Sequence, residues 1–185
     1  MKRLLDLSLA LIGIIPALAV IGIVAILIRR GSPGPGLLRQ ARVGRDEQVF
    51  TCFKLRTMFV DTPDRPSHEV GRVAITPIGA FLRRTKLDEL PQLINILRGE
   101  MSFVGPRPCL PSQVALIEAR RGHGVAHLRP GITGVSQVAG VDMSDPERLA
   151  TLDATYLLQM TVTRDLQLII QTVLGSGRGD RVTGL

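Results

Sequence analysis

LSLALIGIIPALAVIGIVAILI, residues 7–28, is a run of 22 residues without a charged side chain. At about 1.5 Å per residue, a straight helix of this length would measure roughly 33 Å, close to the thickness of the hydrocarbon core of a bilayer. The sequence therefore predicts a membrane helix near the N-terminus. Asp6, just before the run, is interpreted as a polar residue at the water interface.

Pro16 lies in the middle of the apolar run, and a basic pair flanks each end, Lys2 with Arg3 and Arg29 with Arg30. Proline removes a helix hydrogen bond and favours a kink, and positive charge prefers the cytoplasmic side. These features favour a re-entrant segment, a helix-break-helix that enters and leaves by one face, while a single span stays open as the alternative. A cleaved signal peptide is disfavoured because arginines follow the run.

Composition limits the rest of the chain to one domain and one kind of partner. A length of 185 residues accommodates one catalytic domain beside the membrane segment. The net charge of +7 indicates an anionic partner: nucleic acid, an acidic lipid surface or a phosphorylated small molecule. With no Trp and one Tyr, the chain lacks the rings on which single-stranded nucleic acids stack, so nucleic acid is disfavoured. Cys52 and Cys109 form no metal-spacing motif and are expected to be buried thiols.

Glycine and proline set the domain boundaries. The turn-rich GSPGPG, residues 31–36, ends the membrane segment. We therefore predict a re-entrant membrane helix over residues 1–30, a cytoplasmic domain over residues 31–174 and a mobile tail over residues 175–185.

The elements of the domain are predicted from residue periodicity. VFTCFKLRTM, residues 49–58, is predicted to be a strand or extended stretch that places Lys54 and Arg56 on one face. Leucine and isoleucine stripes predict helices from about residue 88 to 99, over 149–160 and over 166–174. The expected fold class is α+β and mainly helical, with amphipathic helices at the membrane interface.

Asp88 and Glu89 are the candidate chemical groups. Pro91 lacks an amide hydrogen and fits the first turn of a helix, so that helix is predicted to begin at about Asp88. A helix N-terminus favours ionised carboxylates, which can act as a nucleophile or as metal ligands. On this feature alone, simple helix capping is the commoner role.

Basic residues surround the acidic pair, and they favour a chemical role for the two acids over simple helix capping. Arg83, Arg84 and Lys86 precede it, and Arg107 and Arg129 lie in the Gly/Pro-rich loops FVGPRP and LRPGITG. Arginine's planar fork matches phosphate oxygens. Several arginines around two acids predict a site for a phosphate ester with a divalent metal between the two.

The order of several long blocks resembles the bacterial sugar transferases, also called monotopic polyprenyl-phosphate phosphoglycosyl transferases. The blocks cover nearly the whole chain and are densest over residues 82–108. Asp153, Tyr156 and Asp165 also fall at the family's spacing. The blocks are KRLLD, SPGP, RQARVG, FKLRTM, LRRTKLDELPQLINILRGEMSFVGPRP and RPGITGVSQVAG.

The resemblance implies a re-entrant helix with Pro16 at its kink, in the inner membrane, and an Mg²⁺-dependent active site that faces the cytoplasm. The implied substrates are a nucleotide sugar, with uridine the expected base, and polyprenyl phosphate. Asp88 matches the nucleophile that forms a covalent phosphosugar, and Glu89 matches its metal-binding partner. Four basic residues match phosphate-binding positions: Lys54, Arg56, Arg107 and Arg129.

The chain departs from the family pattern at three places. Ile15 precedes Pro16 where many relatives carry serine, Val141 and Asp142 stand where relatives often have Arg and Asn, and Thr161 replaces a common serine.

Two competing functions are weaker. A catalytically silent, membrane-anchored basic module would bind anions without turnover. A glycoside hydrolase is disfavoured because adjacent carboxylates do not flank a scissile bond from opposite sides.

Overall fold

The computed structural model describes residues 1–62 and 74–176, so the predicted tail lies almost entirely outside the described residues. The fold is mainly helical with two small sheets, as the sequence predicts. The helices are α1 Lys2–Gly31, α2 Pro77–Thr85, α3 Gln92–Arg98, α4 Val114–Gly122, α5 Val135–Val138, α6 Pro146–Leu158 and α7 Val162–Val173. The strands are β1 Leu37–Val43, β2 Val49–Leu55, β3 Ser102–Val104 and β4 Gly131–Thr133.

The predicted apolar helix is present as α1, with Pro16 inside it and Gly31 at its end. Its length and composition suit a membrane segment, and apolar side chains such as Leu11 and Ile12 are exposed on it. Ile15, the residue that departs from the family pattern, is 76% exposed and belongs to this outer surface. Because Pro16 has no amide hydrogen, the carbonyl of Ile12 lacks its usual helix donor.

One side of α1 packs against the rest of the protein along most of its length. Small residues, Ala10 and Ala17, allow close contact with α3 in the first part of the helix. Val24 and Ile28 pack against Leu55 and Leu82 near its C-terminal end. The helix is therefore a structural part of the domain, with one buried side and one apolar side left exposed.

The N-terminal turn of α1 is fixed by polar contacts. Asp6 is only 3% exposed, and it accepts hydrogen bonds from Ser102 Oγ at 2.9 Å and from the amide of Phe103 at 3.0 Å. Lys2 Nζ lies 2.7 Å from the carboxylate of Asp165 in α7. The interpretation of Asp6 as an interfacial polar residue was wrong, because it bonds strand β3 inside the protein.

A hairpin and a buried asparagine place Lys54 of β2 next to the acidic pair. Strands β1 and β2 are antiparallel, and β2 confirms the predicted strand. Asn95 of α3 is completely buried, accepts from the amide of Phe53 and donates to the carbonyl of Thr51 at 2.7 Å. These bonds align β2 with α3 and so fix Lys54 next to the turn that carries the two acids.

The second sheet brings two loops together. Strands β3 and β4 pair in parallel, and the loop after β3 touches the start of β4 and the residues just before it through backbone atoms. A Cβ on Gly105 would lie 2.2 Å from the carbonyl oxygen of Arg129, and one on Gly131 would lie 2.2 Å from the amide nitrogen of Gly105. Glycine is thus required at both positions for the FVGPRP and RPGITG loops to meet.

The predicted C-terminal helices are confirmed and begin at side-chain caps. Asp145 accepts from the amide of Arg148 at the start of α6, and Thr161 accepts from the amide of Arg164 at the start of α7. Such caps stabilise a helix by about 1 kcal/mol. Thr161 provides the same hydroxyl oxygen as serine, so this departure from the family pattern preserves the cap.

Candidate active site

Asp88 and Glu89 lie in a short 3₁₀ turn, Leu87–Glu89, between α2 and α3. Lys86 ends α2 in the left-handed conformation, with φ 59°, and Pro91 caps α3. The prediction that the helix begins at Asp88 was therefore early by four residues, because the 3₁₀ turn intervenes. Each acid is only 8% exposed.

Glu89 is surrounded by positive charge. Its Oε1 lies 3.1 Å from Arg107 Nη2 and 3.5 Å from Lys54 Nζ. Lys54 comes from β2 and Arg107 from the loop after β3, so two separate segments converge on one carboxylate oxygen. Two cations close to a buried carboxylate favour its ionised form.

Asp88 is in a different electrostatic position. Burial, and next the negative charge of Glu89, raise its pKa to about 6, against the opposing effect of Lys54, Arg107 and Arg83. The carboxylate is therefore ionised at neutral pH at an energetic cost. A buried and incompletely compensated carboxylate is typical of a group that reacts or binds a cation.

The two acids open onto a cleft of about 290 Å³. One wall carries the acids and three cations, Arg83, Lys86 and Arg107. The other wall is formed by β4, α5 and the loop that follows, with residues 132, 133 and 136–143 and with Leu149. The volume of the cleft is at the lower end of the range for small-ligand sites, and the three cations on it suit an anion.

Two of the cations on the cleft are partly engaged with the protein. Arg83 Nε donates to Thr57 Oγ1 at 2.9 Å, whereas its Nη1 is buried without a hydrogen-bond partner among the described residues. Lys86 Nζ donates to the carbonyl of Ser176 at 3.1 Å, and burial lowers its pKa. A phosphate oxygen would satisfy the donor that Arg83 leaves unused.

Of the four predicted phosphate-binding residues, the structure brings Lys54 and Arg107 to the acidic pair and leaves the other two elsewhere. Arg56 is buried and donates to the carbonyls of Ser32 and Pro33, while its backbone amide continues the pairing of β1 with β2 by donating to the carbonyl of Gly36. A phosphate contact by Arg56 stays a prediction.

Arg129 is also away from the cleft. Its Nε donates to the carbonyl of Gly99 at 2.9 Å, at the C-terminal end of α3, where Arg3 binds the carbonyls of Ile96 and Leu97. A cation at this end of a helix bonds its free carbonyls and interacts favourably with its dipole. The geometry thus gives Arg129 a capping contact, and its phosphate contact stays a prediction.

A scan of protein-family models matches residues 1–178 to the family described as bacterial sugar transferase. The chain belongs to the bacterial sugar transferase family. The match covers both the apolar helix and the domain, so the helix and the cleft are parts of one family unit.

Three curated relatives illustrate the similarity. An undecaprenyl-phosphate glucose phosphotransferase of Komagataeibacter xylinus is 36% identical, over 93% of this chain and 35% of its own length. Two proteins named UDP-glucose:undecaprenyl-phosphate glucose-1-phosphate transferase follow. The one from Caulobacter vibrioides is 37% identical over 93% of this chain and 68% of its own length. The one from Escherichia coli (strain K12) is 35% identical over 94% of this chain and 39% of its own length. The chain therefore spans little more than a third of the length of two of these relatives.

The far wall of the cleft was not predicted residue by residue. Thr133, Ser136 and Gln137 line it, within the RPGITGVSQVAG block on which the resemblance partly rested. Val141 and Asp142, which depart from the family pattern, line it too. The block signalled the segment, but only the fold shows that it faces the acids.

The acidic residues of the cleft are suited to hold a magnesium ion. Magnesium is usually held by one or two carboxylates together with substrate phosphate oxygens, and Asp88 and Glu89 supply two adjacent carboxylates on a cleft with phosphate-binding cations. The repulsion that raises the pKa of Asp88 is of the kind that a divalent cation relieves. Among the described residues, no group of three or more metal-ligating side chains is assembled.

Proposed function

We propose that this protein transfers a sugar 1-phosphate from a nucleotide diphosphate sugar, a UDP-sugar, to polyprenyl phosphate. The product is a polyprenyl diphosphate sugar. The reaction would be the first membrane-bound step of glycoconjugate assembly. The observation that carries the proposal is a buried, unequally compensated acidic pair in a cationic cleft, on a domain packed against an apolar helix. The names of the relatives, which specify undecaprenyl phosphate and UDP-glucose, support the substrate classes.

In the first step, an oxygen of Asp88 attacks the phosphorus next to the sugar. The bond from that phosphorus to the bridging oxygen breaks, and UMP leaves with the electron pair. The sugar phosphate is then an acyl phosphate on Asp88. In the second step, an oxygen of polyprenyl phosphate attacks the same phosphorus, and the bond to Asp88 breaks to restore the carboxylate.

The geometry favours Asp88 over Glu89 as the nucleophile. Glu89 Oε1 is occupied by Arg107 and Lys54, whereas the pKa of Asp88 near 6 reflects a charge that the surroundings stabilise poorly. Arg107, Lys86 and Arg83 would hold the diphosphate and offset the repulsion between an anionic nucleophile and an anionic substrate. Magnesium, bound by Glu89 and Asp88, would supply further charge neutralisation there.

We also propose that α1 is re-entrant, with both ends on the cytoplasmic side of the inner membrane. Both ends contact the same domain, through Lys2 and Asp6 at one end and Ile28 at the other. A straight helix of 30 residues would be about 45 Å long, so a span would separate these contacts by a whole bilayer. The exposed Ile12 and Ile15 near Pro16 supply the surface that would face lipid.

Topology can be tested by labelling. Single cysteines at Lys2 and in the turn at Ser32 to Gly36, in a variant with Cys52 and Cys109 replaced by alanine, should react with an impermeant thiol reagent from the same side of oriented vesicles. Labelling from opposite sides would establish a true span.

Function is tested by measuring UMP release across a panel of UDP-sugars in the presence of polyprenyl phosphate. Without acceptor, intact-protein mass spectrometry should detect a phosphosugar adduct, and labelled UMP should exchange into the UDP-sugar. Turnover with neither adduct nor exchange would mean direct attack by the lipid phosphate. Anion binding without turnover for any nucleotide sugar would favour the non-catalytic basic module. Magnesium binding, measured by calorimetry, should weaken in Glu89→Gln.

A further inference from the structure

A buried ion pair joins α4 and α6 behind the cleft. Arg120 is 7% exposed and Asp153 is 2% exposed. Arg120 donates from Nε at 3.1 Å and from Nη2 at 2.8 Å to the same oxygen, Oδ2, of Asp153. Neither residue lines the cleft, and neither takes part in the mechanism above.

The third nitrogen of Arg120 binds the acidic wall of the cleft. Its Nη1 donates to the backbone carbonyl of Arg107 at 2.9 Å. The side chain of the same Arg107 lies 3.1 Å from Glu89. The position of Arg120 therefore fixes the backbone from which the main phosphate-binding arginine extends.

The second oxygen of Asp153 binds the opposite wall. Oδ1 accepts a hydrogen bond from Ser136 Oγ at 2.7 Å. Ser136 is buried in α5, a helix of only four residues that lines the cleft. A helix this short has little stability of its own, so its position depends on tertiary contacts such as this one.

Every polar atom of the pair is used. Burial raises the pKa of Asp153, and Arg120 opposes that effect. A buried ion pair stabilises a protein poorly relative to an apolar pair of the same size, because both charges lose their hydration. An apolar pair cannot make directional bonds, whereas here two bonds join Arg120 to Asp153 and two more bind the pair to the two walls of one cleft.

We infer that Arg120 and Asp153 are positioning residues of the transfer reaction, which fix the distance between Arg107 and the Ser136 wall. The inference rests on the proposed function for its substrate. Misplacing a phosphate ligand by about 1 Å is enough to slow catalysis on the order of a hundredfold. Their effect should therefore appear in kcat/KM rather than in stability alone.

The main test compares Arg120→Lys with Arg121→Lys. Lysine at position 120 keeps a charge beside Asp153 but cannot bond Asp153 and the Arg107 carbonyl together, because it lacks the planar fork. Arg121 is the matched control, since it is the next residue of α4 and forms an exposed ion pair with Glu47 at 2.6 Å. We expect kcat/KM to fall on the order of tenfold to a hundredfold in Arg120→Lys and less than about twofold in Arg121→Lys.

A double-mutant cycle separates positioning from direct contact. Ser136→Ala removes the bond from the far wall to Asp153, and with it a 3.1 Å bond to the neighbouring Gln137. Combined with Arg120→Lys it should cost much less than the product of the two single effects, because both act through Asp153. Additive losses would overturn the inference, as would a lower Tm with unchanged kcat/KM per folded molecule. If Arg120→Lys does not fold, unchanged kcat/KM in Ser136→Ala overturns it.

Failure of the proposed function would look different. In that case wild type turns over no nucleotide sugar, and the positioning role is judged by the affinity of the cleft for inorganic pyrophosphate. Weaker binding in Arg120→Lys than in Arg121→Lys supports the role, and equal binding in both contradicts it.

Discussion

Two clusters of buried carboxylates, one at the start of α1 and one at the turn before α3, show how differently a fold can treat the same chemical group. Asp165 receives Lys2 at 2.7 Å and a short hydrogen bond from Tyr156, and Asp6 receives two donors from β3. Asp88 is also buried, but burial and the neighbouring Glu89 raise its pKa to about 6.

The difference separates carboxylates that hold the structure from one that can react. A buried carboxylate with all its acceptors used joins segments that are far apart in sequence, as Asp165 joins α7 to Lys2. Asp88 is held in an environment that disfavours its charge, which lowers the free energy of unfolding. Such a loss of stability is typical of a functional site. The predictions below test this contrast, from the largest expected effect to the smallest.

Asp88→Asn should lower turnover by at least about a thousandfold, because the nucleophile is lost while size and burial are kept. The measurement is UMP release with donor and acceptor, together with the search for the phosphosugar adduct. Residual activity within tenfold of wild type would show that Asp88 is not the nucleophile.

Asp165→Ala should instead lower stability, by about 3–5 kcal/mol, because it leaves Lys2 and the Tyr156 hydroxyl without their partner. Chemical denaturation in detergent gives the free energy of unfolding. Activity per folded molecule should stay within a few-fold of wild type. A large loss of kcat without loss of stability would erase the contrast between the two clusters.

Asp88→Asn should also stabilise the protein, and the gain should depend on pH. A pKa raised from 3.8 to about 6 on folding means that the folded state binds the proton more tightly. The carboxylate therefore costs stability as pH rises from about 4 to 6, and the cost persists above that range. In the absence of added magnesium, the variant should gain on the order of 3 kcal/mol at pH 7.5 and roughly half of that at pH 5. A gain independent of pH would contradict the burial of an ionised Asp88.

Arg107→Ala should reduce kcat/KM on the order of a hundredfold, whereas Arg129→Ala should cost only about 1 kcal/mol of stability, as expected for loss of a bond at a helix end. Arg107→Lys should restore activity only in part, because an ammonium lacks the two-pronged geometry of arginine. Equal losses of activity in the two alanine variants would return Arg129 to the phosphate site.

Local patterns predicted the elements and the acidic pair. The apolar run predicted α1, β-branched and aromatic residues predicted β2, and leucine and isoleucine predicted α6 and α7, although α7 begins four residues earlier than predicted. Each of these features depends on residues within a few positions of one another. The acids were found because Pro91 and the surrounding basic residues are close to them in sequence.

Long-range contacts explain what the sequence did not reveal. Arg56 and Arg129 lie in motifs with phosphate-binding composition, but each donates hydrogen bonds to backbone carbonyls within the protein. Asp6 is bonded 96 residues away, at Ser102, and no local rule anticipates such a partner. Ser136 lines the same cleft as Asp88, and Gly134 lets the loops after β3 and β4 touch, since a Cβ there would lie 2.4 Å from the carbonyl oxygen of Gly105.

The ion pair between Lys2 and Asp165 joins residues 163 positions apart, nearly the whole described chain. During synthesis at about 5–20 residues per second, the ribosome needs roughly ten to thirty seconds to reach Asp165 after Lys2 has been made. A helix that enters the membrane in that interval does so without this contact. On the re-entrant topology proposed above, Pro16 and the flanking basic pairs would set the topology first, and the ion pair would then hold it.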